Sequence, residues 1–255
     1  MKPKIVAFVN ANYIPVAKVW LQLLDEQDLL EQVCLVALDE QVQAAFPHIE
    51  LLYRPLPVAD VGFGALWAHR IAVLSEMLKA GQAIIHSDVD AMWARDPWPV
   101  IKACGASAVF SQGTFWPRDV HEQNRVVVCC GLFYLAADAA VLAFLEKVDE
   151  VLEGVQDDQI AMNRVIAAGI PGWSMKEPYE IPFRETSFLA SRTPMHASLD
   201  LGEGQSLSLA VLPHHAFPRL IEEINDEVVV AHPLSGKSMV EKRDCMSRLG
   251  LWRSL

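Results

Sequence analysis

Short apolar runs alternate with stretches of helical periodicity through the first hundred residues. Lys4 to Asn10 (Lys-Ile-Val-Ala-Phe-Val-Asn) is apolar at neighbouring positions, the mark of a strand buried on both faces in a parallel sheet. A helix follows from about Ile14 to Leu24. Next come a strand over Gln32 to Leu38, a short helix over Gln41 to Phe46 and a third strand over Glu50 to Arg54. Leu66, Trp67, Ile71, Leu74, Met77 and Leu78 recur near helical spacing and predict a helix over Gly64 to Ala80, with Gly81 as its stop. A fourth strand, Ala83 to Ser87, comes directly after. This alternation predicts an α/β fold whose residues 1–100 form a Rossmann-like nucleotide-binding half.

The second half is less regular. Ala106 to Ser111 and Arg125 to Leu135 read as strands, and Asp138 to Leu152 as a helix. Asp157 to Ala168 reads as a helix opened by two acidic residues, which suit its N-terminal dipole. The chain then reads as loop-rich to about Gln205. Strands at Leu207 to Leu212 and Glu227 to Ala231 precede a short helix over Met239 to Leu249. The expectation is a mixed central sheet flanked by helices, with residues 101–255 forming the acceptor side and a closing C-terminal segment. No long linker, low-complexity tract or repeat interrupts the chain, so residues 1–255 read as a single domain.

Composition narrows the class. With 52% apolar and 21% charged residues, the chain matches an ordinary folded protein. No apolar run is long enough to span a bilayer, and Met1-Lys2-Pro3-Lys4 does not begin a signal peptide. The five cysteines (Cys34, Cys104, Cys129, Cys130, Cys245) are odd in number and lack zinc-ligand spacing. Reduced thiols in a cytoplasmic protein are expected. A net charge of −11 argues against nucleic acid or an anionic membrane as partner. An acidic protein that binds a phosphorylated ligand must therefore gather positive charge locally. There is no Gly-x-Gly-x-x-Gly after the first strand and no Walker loop, which argues against dinucleotide dehydrogenases and P-loop enzymes.

The fourth predicted strand runs into Asp88-Val89-Asp90, then Met92-Trp93 and Asp96-Pro97. Buried strands of α/β proteins place functional groups at their carboxyl ends. Two carboxylates about 4 Å apart repel by roughly 4 kcal/mol at an effective dielectric near 20. Such a pair binds a cation, shares a proton or splays into water. A divalent ion bridging to a phosphorylated ligand is the favoured reading, although an isolated Asp-x-Asp also suits a capped, solvated turn. Near the end, His232 follows an apolar run and offers an imidazole nitrogen; Gly236 permits close backbone approach to phosphate, and Lys237 adds a point charge. Two carboxylates, an imidazole and phosphate oxygens suit Mn²⁺ or Mg²⁺. His214-His215 reads as a surface turn; Trp116 and Trp173 stand in loop-like stretches where an aromatic face could stack on an acceptor sugar, although such residues more often pack the core.

The succession helix, Gly81, strand, Ser87-Asp88-Val89-Asp90, Trp93 and Asp96-Pro97 resembles the core of nucleotide-diphospho-sugar transferases with the GT-A fold. It is most like retaining glycosyltransferases of family 77 and, more distantly, family 8. The resemblance implies that Asn10, Asn12 and Tyr13 hold the nucleotide base and ribose and that Arg70 reaches the donor. It places Asp158 and Gln159, followed by Asn163, at the reacting sugar as catalytic residues. Asp88, Asp90 and His232 would hold the metal ion, with Asp88, Gly131, Gly236 and Lys237 at the donor. Gly250-Leu251-Trp252 matches the closing segment. The chain departs from the pattern at Cys129-Cys130-Gly131, where related enzymes usually carry Asn, a small residue and Gly.

The implied activity is metal-dependent transfer of a hexose or pentose from a UDP-sugar to a glycan or other hydroxyl acceptor, with retention. One alternative is a haloacid-dehalogenase-type phosphatase, which also ends a strand in Asp-x-Asp and later uses an acidic pair such as Asp157-Asp158. Against it, Met92 stands where that motif usually has Thr or Val, and the motif follows the fourth strand instead of the first. A second alternative is a sugar-nucleotide-binding protein without turnover.

Overall fold

The computed structural model describes residues 2–56, 63–236 and 238–252. Strand β1 (Lys4–Val9) passes through a single 3-10 turn into helix α1 (Ile14–Asp25), followed by β2 (Val33–Ala37), α2 (Glu40–Ala45) and β3 (Glu50–Tyr53). Next come α3 (Phe63–Lys79), β4 (Ile84–Ser87), β5 (Met92–Trp93), α4 (Trp98–Ala103), β6 (Ala108–Gln112) and α5 (Arg118–Asn124). Then follow β7 (Val128–Leu135), α6 (Ala139–Val155), α7 (Asp158–Gly169), β8 (Pro178–Phe183) and β9 (Thr186–Ser191). The chain closes with β10 (Met195–Gly202), β11 (Gln205–Val211), β12 (Val230–Ala231) and α8 (Met239–Arg248).

The inner strands β2, β4 and β6 are covered on both faces, which is why they lack clean alternation. Ile5, Ala7 and Val9 of β1 pack with Ala17 and Trp20 of α1 and Met246 of α8. Val6, between them, joins the opposite cluster with Ile71 and Leu74 of α3, Phe144 of α6 and Met162 of α7. Helix starts are set by aspartate caps: Asp138 accepts from Val141 N at 2.8 Å and Asp157 from Ile160 N at 2.9 Å. Each such cap stabilises by about 0.5–2 kcal/mol relative to alanine. Gly81 ends α3 at φ +82°, a conformation that other residues adopt only with strain.

Among the described residues, the main sheet has eight strands in the order β10-β11-β6-β7-β4-β1-β2-β3. β3, β2, β1 and β4 run parallel, while β7 lies antiparallel to both β4 and β6. This is the mixed, helix-flanked α/β sheet expected from the sequence. Strand order reverses at β1, which has β2 on one side and β4 on the other. Such a reversal opens a crevice at the carboxyl ends of the strands, where open α/β sheets bind ligands. Asn10 leaves β1 and Asp88 leaves β4 at that edge.

Three expectations are corrected. The stretch read as loop-rich up to Gln205 contains β8, β9 and β10. In β10, Met195, Leu199 and Leu201 are buried while His196, Ser198 and Asp200 are exposed, a period of two spread over weakly apolar residues. In β8, Pro178 and Pro182 hide a strand that, among the described residues, pairs with β9 alone. Of the expected strand Glu227 to Ala231, only Val230–Ala231 pairs, with β5 as its partner.

The third correction is His214, which lies in a turn as expected, but a buried one. It is 4% exposed, its ring meets Phe188 at 5.2 Å, and its Nε2 accepts from Arg219 N at 3.1 Å. Burial, with Arg219 and His215 adding to it, pushes its pKa down to about 4. The unfolded chain binds this proton near pH 6.5 and the folded one only near 4, so stability is full above 6.5 and falls with pH across that window. The loss reaches up to about 3 kcal/mol. His214→Gln, which keeps an acceptor, is expected to flatten the fall of the urea midpoint between pH 7 and 4.5. Equal falls in both proteins would assign the acid loss to other groups.

All five cysteines are free and buried. Among the described residues, no helix is long and apolar enough to cross a membrane.

Candidate active site

The turn after β4 sets up the site. Asp88 N donates to Gly131 O at 2.8 Å and Ala91 N to Asp88 O at 2.9 Å, with Val89 packed inward between the two aspartates. The chain then enters β5, which pairs antiparallel with β12 in the register Ala231↔Met92. Trp93 locks this joint: it is fully buried, its indole N–H donates to Ser87 Oγ at 3.1 Å, and its ring stands edge-on to Trp20 at 6.4 Å. Arg95 adds a second tie through Nε to Val228 O at 3.1 Å. The register delivers His232 to the acidic pair, with Nε2 3.4 Å from Asp90 Oδ1 and 4.0 Å from Asp88 Oδ2.

One ligand atom from each of Asp88, Asp90 and His232 lies within 4.8 Å of the other two. Two carboxylates and an imidazole at that spacing fit a divalent ion. Protein cations offset the charge of the pair. Lys242 donates to Asp90 Oδ2, and Arg70 Nη1 lies 3.4 Å from Asp88 Oδ1. Burial alone would raise the Asp90 pKa, yet His232 and Lys242 hold it far below the usual carboxylate range. Burial and Arg219 push His232 down, while hydrogen bonds to Asp90 and Cys129 hold it up at about 9.

Gly131 is required by the side chains it faces. A Cβ there would overlap the His232 ring and lie 2.9 Å from Asp88 Oδ2. Cys129 puts its sulfur 3.7 Å from His232 Nδ1 and so braces the ring on the side away from Asp90. Burial would raise the Cys129 pKa, but Arg219 and His232 lower it to about 6.

Arg70 organises the inner wall. Its guanidinium binds Asp158, reaches Asp88, donates to His86 Nε2 at 3.1 Å and stacks 4.5 Å from the Trp67 ring. His86 is fully buried, and burial followed by Arg70 keeps its pKa low, so it stays neutral and accepts. Gln159, beside Asp158 at the start of α7, uses both ends of its amide: Oε1 accepts from Cys130 N at 3.3 Å, and Nε2 donates to Trp116 O at 2.9 Å. Asn163 completes the staple by bonding Val128 N at 2.8 Å and Val128 O at 2.9 Å. These amides serve β7 where its pairing with β6 shifts register after Phe110.

The sequence profile of nucleotide-diphospho-sugar transferases matches residues 28–240, well over half of the chain. The chain belongs to this family. A relative from Dictyostelium discoideum, named UDP-galactose:fucoside alpha-3-galactosyltransferase, is 22% identical over 118 residues, covering 40% of this chain and 16% of the relative. The chain thus spans only a small part of that relative's length. Among solved structures, the galactosyltransferase LgtC in complex with donor and acceptor sugar analogues is 12% identical with a TM-score of 0.47, covering 63% of this chain and 69% of that one. The glycosyltransferase GlyE of Streptococcus pneumoniae is also 12% identical, with a TM-score of 0.45 over 64% of this chain and 43% of its own. Family membership sets the phosphatase alternative aside.

The other described residues singled out from the sequence lie around this site in the family member. Asn10 opens the turn after β1, and its Oδ1 is buried with no partner among the described residues. Ala11 N is held by Asp39 Oδ2 at 2.6 Å, Asn12 is exposed, and the Tyr13 ring lies 5.9 Å from Lys242 Nζ. Gly236 is crowded by the Glu241 carboxylate, which closes the capping box of α8 with Ser238. Lys237 lies outside the described residues. Lys242, His86 and Asp39 escaped the sequence reading. Lys242 sits in an ordinary charged helix and carries no motif; its signal is its contact alone.

Proposed function

We propose that the protein transfers a sugar from a UDP-sugar to a hydroxyl of a glycan or related acceptor, with retention at the anomeric carbon. Asp88, Asp90 and His232 would hold Mn²⁺ or Mg²⁺. The observation that carries this reading is the meeting of those three side chains at the β1–β4 reversal, inside the segment that matches the family. The relative's name supplies a UDP-galactose donor and an α linkage, which make UDP-galactose the first donor to try.

The ion, when bound, would supply Lewis-acid charge against the departing diphosphate. A nucleoside diphosphate so neutralised leaves without a protonated carboxylic acid, unlike the leaving group in glycoside hydrolysis. Asn10 Oδ1 offers an unpaired acceptor to a base N–H, with Tyr13 beside it. Arg70 holds Asp88 and Asp158 in place from behind the site, its own side chain 4% exposed. Asp158 is equally buried and committed to Arg70, so we assign it a positioning role through that arginine in preference to nucleophilic attack. Gln159 braces the acceptor side through Trp116.

Next to that loop lies a cavity of about 860 Å³ lined by Phe115, Arg118, His121, Phe183, Arg184 and Glu185. Its stacked Phe115 and Phe183 rings, 5.4 Å apart, suit the apolar face of a sugar, and its arginine forks suit hydroxyl or anionic groups. This is where we place the acceptor. The five free thiols support a reducing, cytoplasmic setting.

A thermal-shift screen of UDP, GDP and CDP and their sugars, with and without Mn²⁺, tests the reading. Uridine ligands are expected to raise Tm, and to do so only when Mn²⁺ is present. No nucleotide response under any metal condition would sink it. Stabilisation without transfer or donor hydrolysis would point to the binding-only alternative.

A further inference from the structure

The strongest cation at the acidic pair comes from a helix that carries no motif. Cys245 and Met246 fix α8 to the apolar cluster that contains Trp93, and the Ser238–Glu241 capping box closes its first turn. Lys242 stands just inside that turn. Its ammonium donates to Asp90 Oδ2, while Asp90 Oδ1 faces His232 at 3.4 Å. The Lys242 and Asp90 side chains are only 13% and 12% exposed, so solvent screens the pair weakly. The Tyr13 ring, on the loop assigned to the nucleotide, is 5.9 Å from the same ammonium. One flexible cation therefore stands between the proposed metal ligands and the proposed nucleotide loop.

Its charge acts in opposite directions on the two ligands. It compensates the carboxylates while no ion is there, repels a divalent ion that enters, and attracts a diphosphate. A lysine stem lets the ammonium turn while the helix stays in place. We propose that Lys242 couples the metal to the donor: it occupies Asp90 in the metal-free protein, competes with the ion for that carboxylate, and moves to the diphosphate when the nucleotide arrives. Metal and nucleotide then bind as a pair, each tightening the other by the same factor. The inference rests on the metal-dependent reading given above.

Calorimetry with Mn²⁺ and UDP as probes tests it without any turnover assay. Wild type is expected to bind Mn²⁺ alone weakly, and at least about tenfold more tightly at saturating UDP. Lys242→Met, which keeps the stem, is expected to bind Mn²⁺ alone at least about tenfold more tightly than wild type, and UDP with Mn²⁺ correspondingly less tightly. Lys242→Arg keeps the charge and is expected to stay close to wild type in both. If Lys242→Met leaves the affinity for Mn²⁺ alone unchanged or weaker, while wild type still binds the ion, the coupling role is overturned and the metal site stands. If wild type takes up no Mn²⁺ with or without UDP, the metal reading falls and takes this one with it.

Discussion

Asp90→Asn is expected to abolish sugar transfer and to weaken Mn²⁺ binding by more than about 100-fold. Changes to groups that merely orient metal ligands cost about 10–100-fold, and the loss of a ligand's charge should exceed that. Asp90 is the hinge of the cluster, with one oxygen facing His232 and the other bound by Lys242. Asparagine preserves the shape but leaves both cations without their counter-charge in a site that is 12% exposed on the Asp90 side. Some thermal destabilisation of the metal-free protein should accompany the lost activity. Mn²⁺ calorimetry and a donor-consumption assay decide the matter. Undiminished transfer by the asparagine variant, or by wild type in excess chelator, would remove the ion from the mechanism.

The second large effect is structural. Arg70→Met should destabilise the protein by about 3–5 kcal/mol, the usual cost of stripping a buried charge of its partner. Asp158 is 3% exposed and has Arg70 as its counter-ion, and neutral His86 loses its donor at the same stroke. Arg70→Lys should recover little, because one ammonium cannot reproduce a planar fork that serves Asp158, Asp88 and His86 together. The double variant Arg70→Met, Asp158→Leu should regain most of the stability, since a buried ion pair replaced by apolar groups is often neutral or stabilising. Urea denaturation of the three proteins checks this. A single Arg70→Met variant within about 1 kcal/mol of wild type would show that water or a rearranged side chain satisfies Asp158.

The double variant should remain inactive even when stable. Asp88 then lacks Arg70, one of the two groups that, against burial, hold its pKa below the usual range. The contrast between regained stability and absent transfer separates the packing role of the pair from its role at the site.

Much of this was legible in the chain because the relevant physics is local. The β1 run, the Trp67-to-Leu78 periodicity and the aspartates that start α6 and α7 each reflect interactions within a few residues. Local signals failed where they were weak or masked. The alternation in β10 uses small and polar residues, and prolines disguise β8. His214 looked like a surface residue because its sequence neighbours say nothing of Phe188, whose ring meets it 5.2 Å away.

The sequence by itself determined the strand–helix alternation, the acidic pair at a strand's carboxyl end and the imidazole behind a second apolar run. Periodicity and strand-end chemistry are properties of neighbouring residues. Only the tertiary structure decided which charges meet. The two-residue pairing of β5 with β12 brings His232 to Asp90, the packing of α3 against α7 buries Arg70 with Asp158, and the docking of α8 aims Lys242 at the acidic pair. Partners so far apart along the chain are chosen by strand order, register and helix docking, which no short stretch of residues encodes.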